Sequence, residues 1–381
     1  MRTSFANTGR GPSGNHLGWI AVLGVLLGSM LGPVIRPARA DATSSPPAGG
    51  LRSAETIDWI HQYVETLMHG DELGGKILVA RGNLTLFQRS IGYVDARRSL
   101  PVMPETRFEL GSGTKMLTAI VTMLLVEEGR IQLDDPIGPI LPTFPDADLG
   151  ERITVRQLLS HSSGLGSDWE TAGDGVRFEP GTQHRYSDSG YLLLGRVIEE
   201  VTGEDFVSVV RRRILEPLGM THTDFCGPDE GPTDLAPRLV RPAAGEEETS
   251  AIWITGPSAV RGTSSEGSFS TPPDLLRLVR ALVGGTLVRP ETLAEMTTPQ
   301  PPFASADDPY EGGHAYGLGL LLERSDTGTL SWGHEGFAPG VNFELRHFPA
   351  DDVTFVLFCN QENDAFDELN QTVRNIITGD R

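Results

Sequence analysis

The sequence predicts an α+β protein: an antiparallel β-sheet flanked by helices, built from the N- and C-terminal segments, with a mainly helical lobe inserted between them. Strand patterns occur near the two ends only, in Lys76–Ala80 and Leu84–Phe87 and then in four runs from Gly317 onward. The stretch between, up to about residue 260, carries helices and Gly/Pro-rich loops. Strands gathered at both termini around a helical middle close most simply into one sheet. An active site is then expected between the lobes.

Each element has a local reason. Ile57, Ile60, Val64 and Leu67 recur at helical spacing, which predicts an amphipathic helix over Glu55–Met68. Lys76–Ala80 and Leu84–Phe87 flank Arg81-Gly82-Asn83 and read as a hairpin. After Ser112, Met116, Leu117, Ile120, Val121, Leu124 and Leu125 are apolar around much of a helix, so that helix is expected in the middle of the domain. Glu127-Glu128-Gly129 ends it at a glycine cap. Pro272-Pro273 precedes an amphipathic helix over Asp274–Leu282. Strands are expected over Gly317–Leu322, Leu330–His334, Val341–Phe348 and Thr354–Cys359, and a helix over Ala365–Ile377 closes the chain.

The ends and the charge set limits. Arg2 and Arg10 precede an apolar run from Leu17 to Ile35, and Ala38-Arg39-Ala40 has the small-x-small form of a cleavage site, so residues 1–40 read as a secretory signal. An uncleaved membrane anchor is the competing reading, because the run is close to spanning length. Residues 41–54, rich in Ser, Pro, Gly and Ala, read as a flexible leader. Residues 55–378 are then one large domain, with a sheet lobe over about 55–110 and 315–378 and a helical lobe over about 111–314. The formal net charge of −20 becomes about −24 once the four arginines of residues 1–40 are gone, a surface that repels nucleic acid. Cys226 and Cys359 lie far apart, and the strand pattern before Cys359 favours a buried free thiol.

Chemistry concentrates around one lysine. The chain has two lysines, Lys76 and Lys115, and every other basic position is Arg. An ammonium can exchange its proton when desolvated and a guanidinium cannot, so Lys115 three residues after Ser112 marks a serine nucleophile with its activator. The bland alternative makes Ser112 a helix N-cap. Tyr186, in a turn before the apolar helix of Tyr191–Gly195, is the second element: a phenol beside an ammonium ionises more easily and can carry the serine proton. Its alternative is a core tyrosine. Ser331-Trp-Gly-His334-Glu335-Gly336-Phe337 is the third, where glycine allows close backbone approach and an N–H for an oxyanion; the alternative is a glycine-rich edge strand. Gly70–Ile77 fails as a P-loop because Ile77 replaces the needed hydroxyl, and His334–Ala338 fails as a zinc-protease motif because Ala338 stands where the second His belongs. No cofactor and no metal site is expected.

The order Ser112-Gly-Thr-Lys115, Tyr186-Ser-Asp188, His334-Glu-Gly336 resembles the three motifs of the serine β-lactamase and penicillin-binding-protein superfamily. It looks most like the branch of class C β-lactamases, DD-carboxypeptidases and related esterases, with further likeness in Leu158–Leu165, Glu266–Thr271, Tyr316–Leu320 and Pro339-Gly340. The resemblance implies a β-lactamase/transpeptidase-like fold and an acyl-enzyme on Ser112, with Lys115 and Tyr186 as the proton-transfer pair. It implies an oxyanion hole from the N–H groups of Ser112 and Phe337, substrate contacts at Asp188, His334, Glu335 and Gly336, and a structural His161. Two positions depart from the pattern. Asp188 replaces an asparagine and would hold Lys115 protonated; Glu335 replaces a hydroxyl that receives a substrate carboxylate. Two added charges at the cleft favour ester or peptide substrates over β-lactams. A catalytically silent binding protein of the same fold, or a true β-lactamase, are the other readings. The expected partner is a small-molecule or peptide substrate, met outside the cytoplasm after cleavage near Ala40, and a membrane only if the signal segment stays uncleaved.

Overall fold

Two runs that are apolar at nearly every position, Ile77–Ala80 and Val353–Cys359, build the centre of the main sheet. Such runs suit strands covered on both faces, whereas a half-exposed strand would alternate. In the computed structural model, residues 51, 54–69, 73–95, 97–166, 176–227, 232–240, 252–254, 262–301, 313–361 and 364–380 are described. The segments expected to be a signal and, nearly all of it, a leader lie outside them.

The chain opens with α1 (Ala54–His69) and the hairpin β1 (Gly75–Arg81) and β2 (Leu84–Ile91). It continues through β3 (Phe108–Glu109), α2 (Thr114–Glu127), α3 (Ile137–Ile140), α4 (Ala147–Gly150), α5 (Val155–Leu159), α6 (Asp188–Thr202), α7 (Phe206–Val210) and α8 (Glu216–Leu218). Then come β4 (Asp224–Phe225), β5 (Arg238–Val240), β6 (Ile252–Ile254), β7 (Ser268–Ser270), α9 (Pro272–Val283) and α10 (Pro290–Met296). The last part holds β8 (His314–Tyr316), β9 (Leu321–Arg324), β10 (Leu330–Ala338), β11 (Val341–Phe348), β12 (Val353–Cys359) and α11 (Asp364–Thr378).

The main sheet is antiparallel throughout in the order β2-β1-β12-β11-β10-β9-β8, which sets the first hairpin beside the last strand. Strand alternation divides its side chains. Ile77, Val79, Phe355 and Leu357 pack with Ile60 and Val64 of α1 and Leu369 and Val373 of α11. Leu78, Ala80, Val356 and Phe358 turn the other way, into the core shared with α2, α6 and α9. Phe358 is fully buried between Phe108 and Phe343, with ring centroids at 5.6 and 5.0 Å. Its truncation to Ala would cost about 3–5 kcal/mol.

The strand expected over Gly317–Leu322 is a correction. The chain turns there, Gly317 N–H donating to the Leu320 carbonyl at 2.9 Å, and the strands β8 and β9 lie on either side. The glycines at 317 and 319 punctuate the run, and hydrophobicity alone hid them. The three-stranded sheet β3-β7-β4 and the pair β5-β6 were also unforeseen, since strands of two or three residues carry no periodicity. Cys226 and Cys359 are both buried free thiols.

Candidate active site

Ser112 sits in a single 3₁₀ turn, Gly111–Gly113, that runs directly into α2. The Thr114 hydroxyl closes the turn by donating to the Gly111 carbonyl at 2.8 Å. Three residues on, Lys115 returns to the face of Ser112, and its Nζ lies 3.1 Å from Ser112 Oγ. The same ammonium donates to Asp188 Oδ1 at 2.6 Å and to the Ser265 carbonyl at 3.1 Å. Three acceptors match the three protons of an ammonium, and the lysine is fully buried among them.

Burial by itself would lower the Lys115 pKa, but the charges that Tyr186 and Asp188 can place beside it prevail and lift it above the ordinary value. Asp188 responds in the opposite sense: burial would raise it, and Lys115 holds it below the ordinary carboxylate value. The carboxylate has two sides. Oδ1 also accepts from Ser265 Oγ at 2.8 Å, while the side chain as a whole is 66 % exposed. Asp188 therefore stands at the mouth of the site, in front of the buried Lys115.

Tyr186 lies over the ammonium, its ring centroid 4.9 Å from Lys115 Nζ, and its phenol is near enough to Lys115 and Ser112 for both to pull its pKa down. The sequence predicted an easily ionised phenol. The structure corrects this, because burial of the hydroxyl raises the Tyr186 pKa and outweighs the pull of Lys115. The outer part of the ring remains open, and the residue is 43 % exposed.

His161 fixes this tyrosine. Its backbone carries a positive φ of 56°, and its carbonyl accepts the Arg185 N–H at 2.9 Å while its Nδ1 accepts the Ser187 N–H at 3.1 Å. Both chain neighbours of Tyr186 are thus tied to one residue, whose ring also lies 4.2 Å from the Tyr186 ring. An accepting Nδ1 leaves the ring proton on Nε2. Burial holds the His161 pKa well below its ordinary value, so the ring stays neutral.

The third element is the open end of β10. Its first half pairs with β9 only as far as Gly333↔Leu321, so beyond that the edge is unpaired and faces the Ser112 turn. A Cβ at Gly336 would lie 1.9 Å from the Leu110 carbonyl, a contact only glycine escapes. Gly340, with φ 70°, and Pro339 form the two-residue turn that closes β10 on β11 at Ala338↔Val341. A closing pair of this kind is hydrogen-bonded across the hairpin, so alternation turns the Phe337 N–H away from β11 and toward the open edge beside Ser112.

His334 and Glu335, expected at the substrate, part ways: His334 is buried on the Lys115 side and Glu335 lies on the opposite face. His334 is 2 % exposed; its Nδ1 meets the Glu335 carbonyl at 2.6 Å and its Nε2 meets the Tyr316 hydroxyl at 3.0 Å. A carbonyl requires a donor, so Nδ1 carries the proton and Nε2 accepts from Tyr316. Burial lowers the His334 pKa to about 3, and the neutral, doubly engaged ring is not available to a substrate carboxylate. Glu335 pairs with Glu344 across β10 and β11 and so shares its face of the sheet, the α11 side, where Oε2 is 3.8 Å from Arg346 Nη2. The two charges expected at the cleft reduce to one, Asp188. Ser265 and Tyr316, which the sequence did not single out as site residues, are the additions.

Against this geometry the comparisons with known proteins are direct. The β-lactamase family profile matches residues 60–378. The chain belongs to the β-lactamase family. A Bacillus subtilis (strain 168) relative that carries a penicillin-binding-protein name, PbpX, is 26% identical over 331 residues, covering 82% of this chain and 78% of its own. The structure of a penicillin-binding protein from Bacillus halodurans superimposes with a TM-score of 0.70 at 25% identity, over 82% of this chain and 99% of that one. A D-amino acid amidase from Ochrobactrum anthropi SV3, complexed with L-phenylalanine amide, gives 0.69 at 25% identity, over 84% of this chain and 99% of that one. Family, fold and neighbours agree on a serine hydrolase in the general sense.

Proposed function

We propose that this β-lactamase-family protein is an exported serine hydrolase that cleaves an ester or amide through an acyl-enzyme on Ser112. The observation that carries the reading is the single ammonium of Lys115, which reaches the Ser112 hydroxyl while the Tyr186 ring lies over it. With Lys115 charged, the base is the Tyr186 phenolate, a minor form that the adjacent ammonium stabilises when it arises. Tyr186 takes the proton of Ser112 as Oγ adds to the substrate carbonyl carbon. The oxyanion settles between the N–H groups of Ser112 and Phe337. Tyr186 then returns the proton to the departing alcohol or amine, the C–O or C–N bond breaks, and water repeats the sequence to release the acid.

Export rests on the Arg2 to Ala40 segment of the sequence. A carboxylate at the mouth of the site argues against β-lactams and free C-terminal peptides as preferred substrates, since each carries a carboxylate of its own. The contact between Asp188 and Lys115 also supports a second reading, a binding protein whose catalysis has lapsed because the lysine is locked in its charged form. A fluorophosphonate probe separates the two. Labelling that disappears in Ser112→Ala and accompanies turnover of p-nitrophenyl acetate supports the hydrolase; an unlabelled wild-type protein that turns over no ester overturns it.

A further inference from the structure

We infer that Asp188 is a specificity residue that receives a substrate ammonium, so that the preferred substrates are esters or amides of amino acids with a free α-amino group. The inference rests on the hydrolase reading and adds the chemical class of the acyl group. Asp188 is bound on one side and open on the other. Lys115 and Ser265 Oγ engage Oδ1 and set the orientation of the carboxylate, while two thirds of the side chain faces solvent. A carboxylate oriented in this way loses little freedom when a ligand docks on it.

Position decides what it can touch. One ammonium bridges Ser112 Oγ and Asp188 Oδ1, so the carboxylate lies within a few bonds' reach of the carbon that Oγ attacks. In an aminoacyl substrate the α-nitrogen is two bonds from that carbonyl carbon. Lys115 is fully buried behind the carboxylate, so an arriving group meets the negative side first. Asp188 has acceptors only, and an ammonium or amide N–H satisfies them whereas a carbonyl or carboxylate does not. The strongly acidic chain favours the approach of a cation.

The test uses the full mature protein and paired substrates, phenylalanine p-nitroanilide and its N-acetyl derivative in both D and L forms, at pH 6.5. The expected result is a kcat/KM at least tenfold higher for the free amine, falling to within twofold of the N-acetyl substrate in Asp188→Asn. A preference for the N-acetyl form, or a ratio the same in Asp188→Asn, overturns the inference. If the variant does not fold, wild type decides alone: the ratio should collapse as pH rises through the substrate's own amine pKa, and a ratio independent of pH rejects ammonium recognition. Hydrolysis of p-nitrophenyl acetate runs alongside. Its persistence with no amine preference sinks this inference and leaves the hydrolase standing, while its absence sinks the hydrolase.

Discussion

Replacing Lys115 by Arg or Met separates the chemistry of an ammonium from its charge and from its contribution to stability. The side chain is fully buried, with Ser112 Oγ at 3.1 Å, Asp188 Oδ1 at 2.6 Å and the Ser265 carbonyl at 3.1 Å. Arg keeps the charge, but its larger planar fork enters a filled site at an overpacking cost of about 1–3 kcal/mol. Met conserves volume and removes a charge that is expensive to bury. It leaves the Ser265 carbonyl without that donor, at about 1 kcal/mol, while Asp188 is exposed enough for water to replace its partner. Both variants should therefore fold, Met within about 2 kcal/mol of wild type. Activity should respond quite differently: losing the group that stabilises the phenolate and orients Oγ is expected to lower kcat/KM by roughly a thousandfold, about 4 kcal/mol of barrier. The assay is p-nitrophenyl acetate hydrolysis with urea unfolding on the same preparations. An Arg variant that keeps more than a tenth of wild-type kcat/KM would show that positive charge is enough, and the account of Lys115 as an ammonium whose shape also orients Oγ would be wrong.

Three further outcomes follow from the same geometry. Because burial raises the Tyr186 pKa, the phenolate is scarce at neutral pH, and log kcat/KM should rise with a slope near one between about pH 7 and 9; a flat profile would remove Tyr186 as the base. His161→Ala should lower kcat by tenfold or more with KM little changed, and His161→Asn, which tolerates a positive φ and offers an acceptor to the Ser187 N–H, should restore part of it; equal losses in both would make the role one of packing. His161, His334 and His347 are buried with lowered pKa values, about 3 for His334 and about 4 for His347. An unfolded imidazole takes up its proton near 6.5, so this stability is complete above that pH and is lost as pH falls toward the folded values. For His334 and His347 the cost should be about 2 kcal/mol each between pH 7 and 5, and a melting temperature unchanged over that interval would contradict the burial of neutral rings.

The nucleophile, its lysine and the tyrosine were legible because each signal is local. Ser112 and Lys115 are three residues apart, and Tyr186 directly precedes a helix whose N-cap is Ser187. The central strands were legible because both their faces are covered. What escaped the sequence depends on distant contacts. Ser265 reaches Lys115 across 150 residues, and Tyr316 meets His334 only after the Gly317–Leu320 turn brings β8 and β9 beside β10. The placement of Glu335 was within reach of strand alternation: with His334 on the Lys115 side, its neighbour belongs on the other face. The protonation of Tyr186 was not, since whether burial or a nearby ammonium prevails depends on how much water the fold excludes.

The central claim is covalent attachment of the acyl group to Ser112, and trapping that intermediate tests it most directly. Rapid acid quench of the mature protein during turnover of a slowly deacylating p-nitrophenyl ester, followed by trypsin, should isolate the peptide Phe108–Lys115, bounded by Arg107 and Lys115. The account predicts that this peptide gains the mass of the acyl group, that the adduct fragments to Ser112, and that Ser112→Ala shows none. Sustained turnover with the peptide unmodified, or an adduct that maps to another residue and survives in Ser112→Ala, would contradict it.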